Sequence, residues 1–305
     1  MIFVILNGKK VEPSPNTSAL CPLCSEKVIS KCGEIKVWHW AHAKGKSCDS
    51  WHEPETTWHK NWKMTFGKDN SEVVIKIEDK RHIADVLTKE NVVIELQNSP
   101  IQKKIISQRE TFYGEKMIWI SNGLKFKDKF FIKDLDSESH SWSTSHNTCK
   151  DKEGRKVFTW EYHRRSWEDT KRYVFIDFGE DALFWVLEGI GQSCGEGKLV
   201  SKKDFILKYG GDYLKHLRLF RNLTIELNLK NLRLRGVDDN LENIHLTTSI
   251  TYKGNRRTLE THFENKDDTL KIKRLRKIIV NDILDYEERN QNLRLVNSRF
   301  IEGLG

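Results

Sequence analysis

Proline and glycine are scarce in this chain, at 5 and 18 of 305 residues, which excludes collagenous and Pro/Gly-rich low-complexity architectures. No uninterrupted apolar run approaches the ~20 residues of a membrane helix, so no membrane partner is expected. Met1 to Leu6 is apolar but lacks a basic flank and a small-residue cleavage site. No secretory signal is read there, and a cytoplasmic location is expected. A strong excess of one charge is also missing. Lys and Arg total 52 against 44 acidic residues, a net charge of +8 with a pI near 9.0, which suits a polyanionic partner without demanding one. The 37% hydrophobic content excludes a wholly disordered chain, and at roughly 150 residues per domain the length provides for about two.

What the chain does have is concentrated in its first third. Four of its six cysteines, Cys21, Cys24, Cys32 and Cys48, lie there, with half of its ten tryptophans, Trp38, Trp40, Trp51, Trp58 and Trp62. In a reducing compartment such a cysteine cluster points to a metal rather than to disulfides. Cys21-Pro22-Leu23-Cys24 is a CxxC knuckle, and His39-Trp40-Ala41-His42 is a second close pair. Zinc takes four N or S ligands. The spacing predicts a closed, structural zinc site on Cys21, Cys24 and His42, completed by either His39 or Cys48; His39 is favoured because it pairs with His42 as the cysteines pair with each other.

From Glu53 to about Phe66 the period is helical, with Pro54 in the first turn; Glu55, Trp58, His59, Trp62 and Phe66 share one face. Three β-branched runs follow, Glu72–Glu78, His82–Leu87 and Val92–Gln97. Ser99-Pro100-Ile101-Gln102 has the form of a capping box opening a helix to about Tyr113, and Met117–Ser121 is a further strand, parallel to and neighbouring Val92–Gln97. The order is thus helix, three strands, helix, strand.

A second chemical cluster sits on these strands. If Leu87 pairs with Val93, Asp85 stands opposite Glu95, and Gln97 shares their face. Both carboxylates are embedded in runs apolar on each side, and two facing buried carboxylates repel unless a cation lies between them. Magnesium or manganese fits. Glu55 with His59 one turn on suits metal coordination or water positioning, against the plainer reading of a carboxylate at a helix N-terminus. Lys63 is read as stabilising charge on a phosphate or as a surface lysine. Arg109 and Tyr113, one turn apart, are candidates for phosphate contact, with Tyr113 as plain core the favoured alternative.

Cys-x-x-Cys, His-Trp-Ala-His, Glu55-Thr-Thr-Trp-His59-Lys-Asn-Trp-Lys63, Arg81-His-Ile-Ala-Asp85-Val and Ile94-Glu95-Leu-Gln97-Asn-Ser99, in this order, resemble the competence CoiA-like proteins, members of the PD-(D/E)XK nuclease superfamily. The resemblance is specific over about residues 20–122 and looser to about 210. It implies Asp85 and Glu95 as metal ligands, Gln97 at the position more often held by lysine, Glu55 as the helix carboxylate facing the metal, and DNA as substrate.

The fold class expected is α+β: a zinc-knuckle N-terminus with its leading strand over 1–52, a PD-(D/E)XK restriction-endonuclease-like core (αβββαβ) over 53–133, a serine-rich linker over 134–153, and a basic, mixed α/β C-terminal domain over 154–305. Tyr173–Phe178 with Leu183–Leu187 reads as a hairpin, and Lys203–Tyr209 as a short helix. Leu270–Tyr286 reads as a basic amphipathic helix whose Lys271, Lys273, Arg274 and Lys277 are candidate phosphate contacts. The expected function is a metal-dependent nuclease acting on DNA in a competence, repair or defence context, with structural zinc, catalytic magnesium or manganese, and a homo-oligomer or a larger nucleic-acid-processing complex among its partners. The alternatives are a ribonuclease, and a non-catalytic zinc-containing nucleic-acid-binding protein with a decayed nuclease site.

Overall fold

The computed structural model describes residues 1–45, 48–51, 53–134, 154–221, 224–232, 243–252 and 255–263, with side chains described as far as Phe220. The chain divides into two compact units, Met1–Leu219 and Phe220–Gly305. It is a mixed α+β protein in which sheets dominate, and among the described residues no helix is long and apolar enough to cross a membrane.

The first unit opens with five short strands: β1 Val4–Leu6, β2 Lys9–Val11, β3 Ser18–Leu20, β4 Lys27–Lys31 and β5 His39–His42. They form a sheet of order β2-β1-β3-β4-β5. Its core of Val4, Ala19, Cys21, Leu23, Val28 and Trp40 is too small to stand alone, and it is completed by Val74 and Ile83 of the next sheet. Buried Glu72 ties the two sheets by accepting from the backbone N–H of Ile2 (2.8 Å) and Phe3 (2.7 Å).

The second sheet has nine strands. Helix α1 (Thr57–Phe66) leads into β6 (Ser71–Ile77), β7 (Lys80–Leu87) and β8 (Val93–Gln97), followed by α2 (Lys103–Tyr113) and β9 (Met117–Asn122). This is the order expected from periodicity, and β8 pairs with β9 in parallel as the spacing predicts. The chain continues through β10 (Phe130–Asp134), β11 (Arg155–Trp160), β12 (Tyr173–Asp177), β13 (Ala182–Glu188), β14 (Cys194–Ser201), α3 (Lys202–Lys208) and α4 (Tyr213–Arg221). Strand order is β10-β11-β14-β13-β12-β9-β8-β7-β6. Residues 155–201, expected in a separate C-terminal domain, instead extend the same sheet, because β12 adds in parallel to the free edge of β9. The hairpin expected near 173–187 is β12–β13, and the short helix expected near 203–209 is α3.

Adjacent positions on β12 show how the layers are arranged. Val174 belongs to a cluster with Trp119 and with Ile106 of α2, whereas Phe175 meets Phe205 of α3. Since alternate side chains face opposite sides of a sheet, α2 covers one face and α3 the other. On the α3 side the indole N–H groups of Trp58 and Trp62 both donate to one oxygen of buried Asp177, each at 2.9 Å, and Lys202 Nζ donates to the other at 2.6 Å. These bonds anchor α1 to the sheet.

Two helix starts differ from expectation. Helix α1 begins at Thr57, not near Glu53, because the Thr56 hydroxyl accepts from the His59 N–H as N-cap; Pro54 and Glu55 therefore lie in the preceding extended segment. Helix α2 begins after Gln102, since the Ser99 hydroxyl is engaged by Glu53 at 2.7 Å and does not cap.

The second unit holds β15 (Thr224–Leu232), β16 (Asn243–Tyr252) and β17 (Asn255–Phe263), an antiparallel three-stranded sheet. Most of the expected linker (135–153) and the whole expected basic helix, with Lys271, Lys273, Arg274 and Lys277, lie outside the described residues.

Candidate functional site

Cys21, Cys24, His42 and Cys48 bring one ligand atom each to within 4.8 Å of one another. Cys21 Sγ is 3.5 Å from Cys48 Sγ, and Cys24 Sγ is 3.3 Å from His42 Nε2. The CxxC turn follows β3, and its tightness comes from the Ser25 N–H donating to the Cys21 carbonyl at 2.9 Å. Three sulfurs and one imidazole nitrogen form a donor set that suits zinc. Burial pushes the Cys21 and Cys48 thiols up in the absence of a cation; binding a cation reverses that preference, because zinc ligates the thiolate. His39, favoured from sequence, is not in the set. It is three residues from His42 on β5, so the two fall on opposite sides of the strand, and its Nδ1 meets the Val37 carbonyl at 2.8 Å.

The expected register is observed, with Leu87 paired to Val93 and Val86 to Ile94. One residue further the ladder stops and the carboxylates take over its hydrogen bonds. Asp85 N–H donates to Glu95 Oε1 (3.3 Å), and Leu96 N–H donates to Asp85 Oδ2 (2.9 Å). On the other side of β7, Ser71 pairs with Val86 and Val73 with Ala84, which sets Glu72 opposite Asp85. Glu72, Asp85 and Glu95 thus occupy one row across three neighbouring strands. Glu72 holds a left-handed φ of 51°, a conformation that costs a non-glycine residue on the order of 1 kcal/mol or more and gathers at functional sites.

Lys63, one helical turn from His59, is fully buried. Its Nζ reaches Glu55 Oε1 at 2.8 Å, Glu72 Oε1 at 3.0 Å and Asp85 Oδ1 at 3.0 Å. Glu95 Oε2 pairs with Arg109 at 2.8 Å, and Arg109 also donates to the Trp51 carbonyl. These groups line a cavity of about 180 Å³. Six carboxylates border it, Asp49, Glu53, Glu55, Glu72, Asp85 and Glu95, against the Lys63 ammonium, the Arg109 guanidinium and the Met1 amino group, which lies 3.6 Å from Glu55 Oε1. The other oxygen of buried Glu55, Oε2, has no hydrogen-bond partner among the described residues.

The protonation states follow from this imbalance. Burial alone would raise every carboxyl. For Asp85 it is outweighed by Lys63, which holds the acid below its ordinary value. Glu55 falls to about 2 for the same reason. Glu95 goes the other way: burial and the Asp85 charge prevail over Arg109 and push it up to about 8. Lys63 is raised well above its usual value, its burial being outweighed by Glu55, Glu72 and Asp85.

The remaining candidates sort as follows. His59 donates from Nε2 to the Leu96 carbonyl at 3.1 Å and accepts from the Thr56 hydroxyl at 2.9 Å, so it braces strand β8 next to Glu95. Gln97 is fully buried and donates to Glu53 and to the Ser99 carbonyl. Lys63 is not a surface lysine. Arg109 is buried on α2 and Tyr113 partly buried: Arg109 pairs with Glu95 and donates to the Trp51 carbonyl, while the Tyr113 hydroxyl has no hydrogen-bond partner among the described residues. Three site residues escaped sequence reasoning. Glu53 accepts from Gln97 and Ser99; Glu72 joins Lys63; and Asp49 binds the His82 ring and the Ile83 N–H, both at 3.0 Å. Only their closeness to Cys48, Glu55 and β7 in sequence could have flagged them.

Fold and site thus define a mixed α+β protein with a cysteine/histidine cluster beside a carboxylate-rich cavity, Cys48 and His42 lining both. The family model described as competence protein CoiA, N-terminal domain, matches residues 11–50. That match supports a competence CoiA-like family and covers the cysteine/histidine segment. No match was found among curated proteins or among solved structures.

Proposed function

We propose that this chain is a metal-dependent nuclease of the PD-(D/E)XK type that hydrolyses phosphodiester bonds of nucleic acid, with DNA the favoured substrate from its likeness to a competence protein. The observation that carries the reading is the row of Glu72, Asp85 and Glu95, which with the unpartnered oxygen of Glu55 faces a cavity short of positive charge. In this reading Asp85, Glu95 and Glu55 hold magnesium or manganese. Such a hard cation supplies Lewis acidity and a bound water of lowered pKa. Lys63 keeps Glu55 and Asp85 ionised, and Arg109 orients Glu95. Gln97 is a neutral amide and cannot act as a base; Glu53, which it holds together with Ser99, is the group that would accept a proton from the attacking water. The zinc is structural, closing the cavity wall at Cys48, and the setting proposed is cytoplasmic.

The test is incubation of purified protein with circular single-stranded DNA, supercoiled duplex and RNA in magnesium, in manganese and in chelator. Cleavage that requires the cation and is lost in Asp85→Asn and Glu95→Gln is expected. One observation favours a non-catalytic binding protein instead: both Asp85 oxygens are already engaged, by Lys63 and by the Leu96 N–H. Binding of the same substrates without cleavage under any metal would select that reading.

A further inference from the structure

Arg164 is half-buried in the turn between β11 and the sheet's next strand, and among the described residues its guanidinium pairs with no carboxylate. It lies over the ring of Phe126 at 4.8 Å, which leaves the N–H edges of a planar guanidinium open to an anion. Phe126 belongs to the short 3₁₀ turn Leu124–Lys129 directly after β9. Asn122, the last residue of β9, donates to Asn98 Oδ1 at 2.8 Å, and Asn98 N–H donates to Glu53 at 3.4 Å. Arg164 therefore stands at the carboxyl ends of the parallel strands β8 and β9, the end that Glu53 occupies, where ligands of open α/β sheets bind. Burial lowers its pKa and the Glu53 charge partly restores it.

Two residues earlier, Tyr162 is 85% exposed and holds a φ of 56°, a left-handed backbone that a bulky side chain adopts only at a cost. The Lys129 ammonium lies 5.9 Å from its ring and is paired with Glu161 at 3.0 Å. An outward aromatic on a strained turn, two residues from an unpaired arginine, pairs a stacking surface with a phosphate receptor.

We propose that the Tyr162–Arg164 turn is a contact for single-stranded nucleic acid, Arg164 taking a backbone phosphate and Tyr162 stacking on a base. Single strands are specified because a base must be unstacked from its neighbours to offer its face. This rests on the nuclease reading and names the surface by which that site would receive its substrate.

The test is fluorescence anisotropy of a labelled oligothymidylate bound to the full, zinc-loaded chain without added magnesium or manganese, over a range of salt. Arg164→Gln should lower the log–log salt slope by about 0.7, the value for one phosphate on a single strand, and Arg164→Lys should restore it. Tyr162→Gly relieves the backbone strain, so its melting temperature should not fall, yet affinity should drop roughly fivefold or more with the slope unchanged; Tyr162→Phe should bind as wild type. Unchanged affinity and slope in both Arg164→Gln and Tyr162→Gly, or no binding by the wild type, overturns the proposal. Wild-type binding that depends on these residues without cleavage in any metal would leave this contact standing and remove the nuclease; cleavage by a protein whose variants bind normally would do the reverse.

Discussion

Asp85 and Glu95 are adjacent carboxylic acids whose surroundings drive them apart, Asp85 held ionised by Lys63 and Glu95 held protonated to about pH 8. Asp85→Asn and Glu95→Gln should each reduce cleavage on the order of 100-fold or more. The isosteric amides are preferable to alanine, since alanine at 85 would strand the Leu96 N–H and remove one of the three partners of Lys63. The stability signature is also specific. A carboxyl raised in the fold contributes stability below its unfolded value near 4.5 and loses that contribution as pH rises through 8. Without added divalent cation, the wild type should therefore lose melting temperature relative to Glu95→Gln between pH 5 and 9; parallel curves would contradict the assignment. Glu55 and Asp85, both lowered, work oppositely and lose their contribution as pH falls below their unfolded values near 4.5 and 3.8. Lys63→Met leaves three buried carboxylates without their shared cation and should cost about 3–5 kcal/mol by denaturant unfolding.

At the scale of elements, the cysteine/histidine segment and β7–β8 are joined by residues 48–53. That stretch supplies a sulfur at Cys48, the Asp49 carboxylate to β7, the Trp51 carbonyl to Arg109 and the Glu53 carboxylate to Gln97. Metal analysis should find about one zinc per chain. Cys48→Ser should lose it and His39→Ala should keep it, the reverse of what the pairing of His39 with His42 in sequence suggests. Because zinc contributes folding energy outright, Cys21→Ser and Cys24→Ser should lower melting temperature more than Glu95→Gln does.

For the molecule as a whole, the nine-stranded sheet makes the first unit indivisible near residue 133. Strand β12 pairs with β9 at the sheet's centre, and Asp177 at its end receives the indole N–H groups of Trp58 and Trp62. A fragment ending at 133 keeps every expected catalytic residue yet exposes the β9 edge and strands those indoles, so it should be insoluble or unfolded. A fragment ending at 221 retains the complete sheet and should show cooperative thermal unfolding with its zinc.

Much of the first unit was legible in the sequence because its signals are local. Alternation and β-branching marked β6 to β8, the βαβ spacing made β8 and β9 parallel, and one hairpin register set Asp85 against Glu95. The CxxC and His-x-x-His pairs announced a metal. Choices that depend on distant groups were not legible. Whether His39 or Cys48 completes the cluster turned on which side of β5 each histidine occupies. The Ser99 hydroxyl left its helix for Glu53, forty-six residues earlier in the chain. Lys63 moved from surface candidate to buried hub because Glu72, on another strand, adopts a left-handed φ opposite Asp85. Composition cannot show where a sheet ends: strands β10 to β14 joined the core because the β9 edge had unpaired backbone groups to satisfy, and only the folded sheet shows which strand satisfies them.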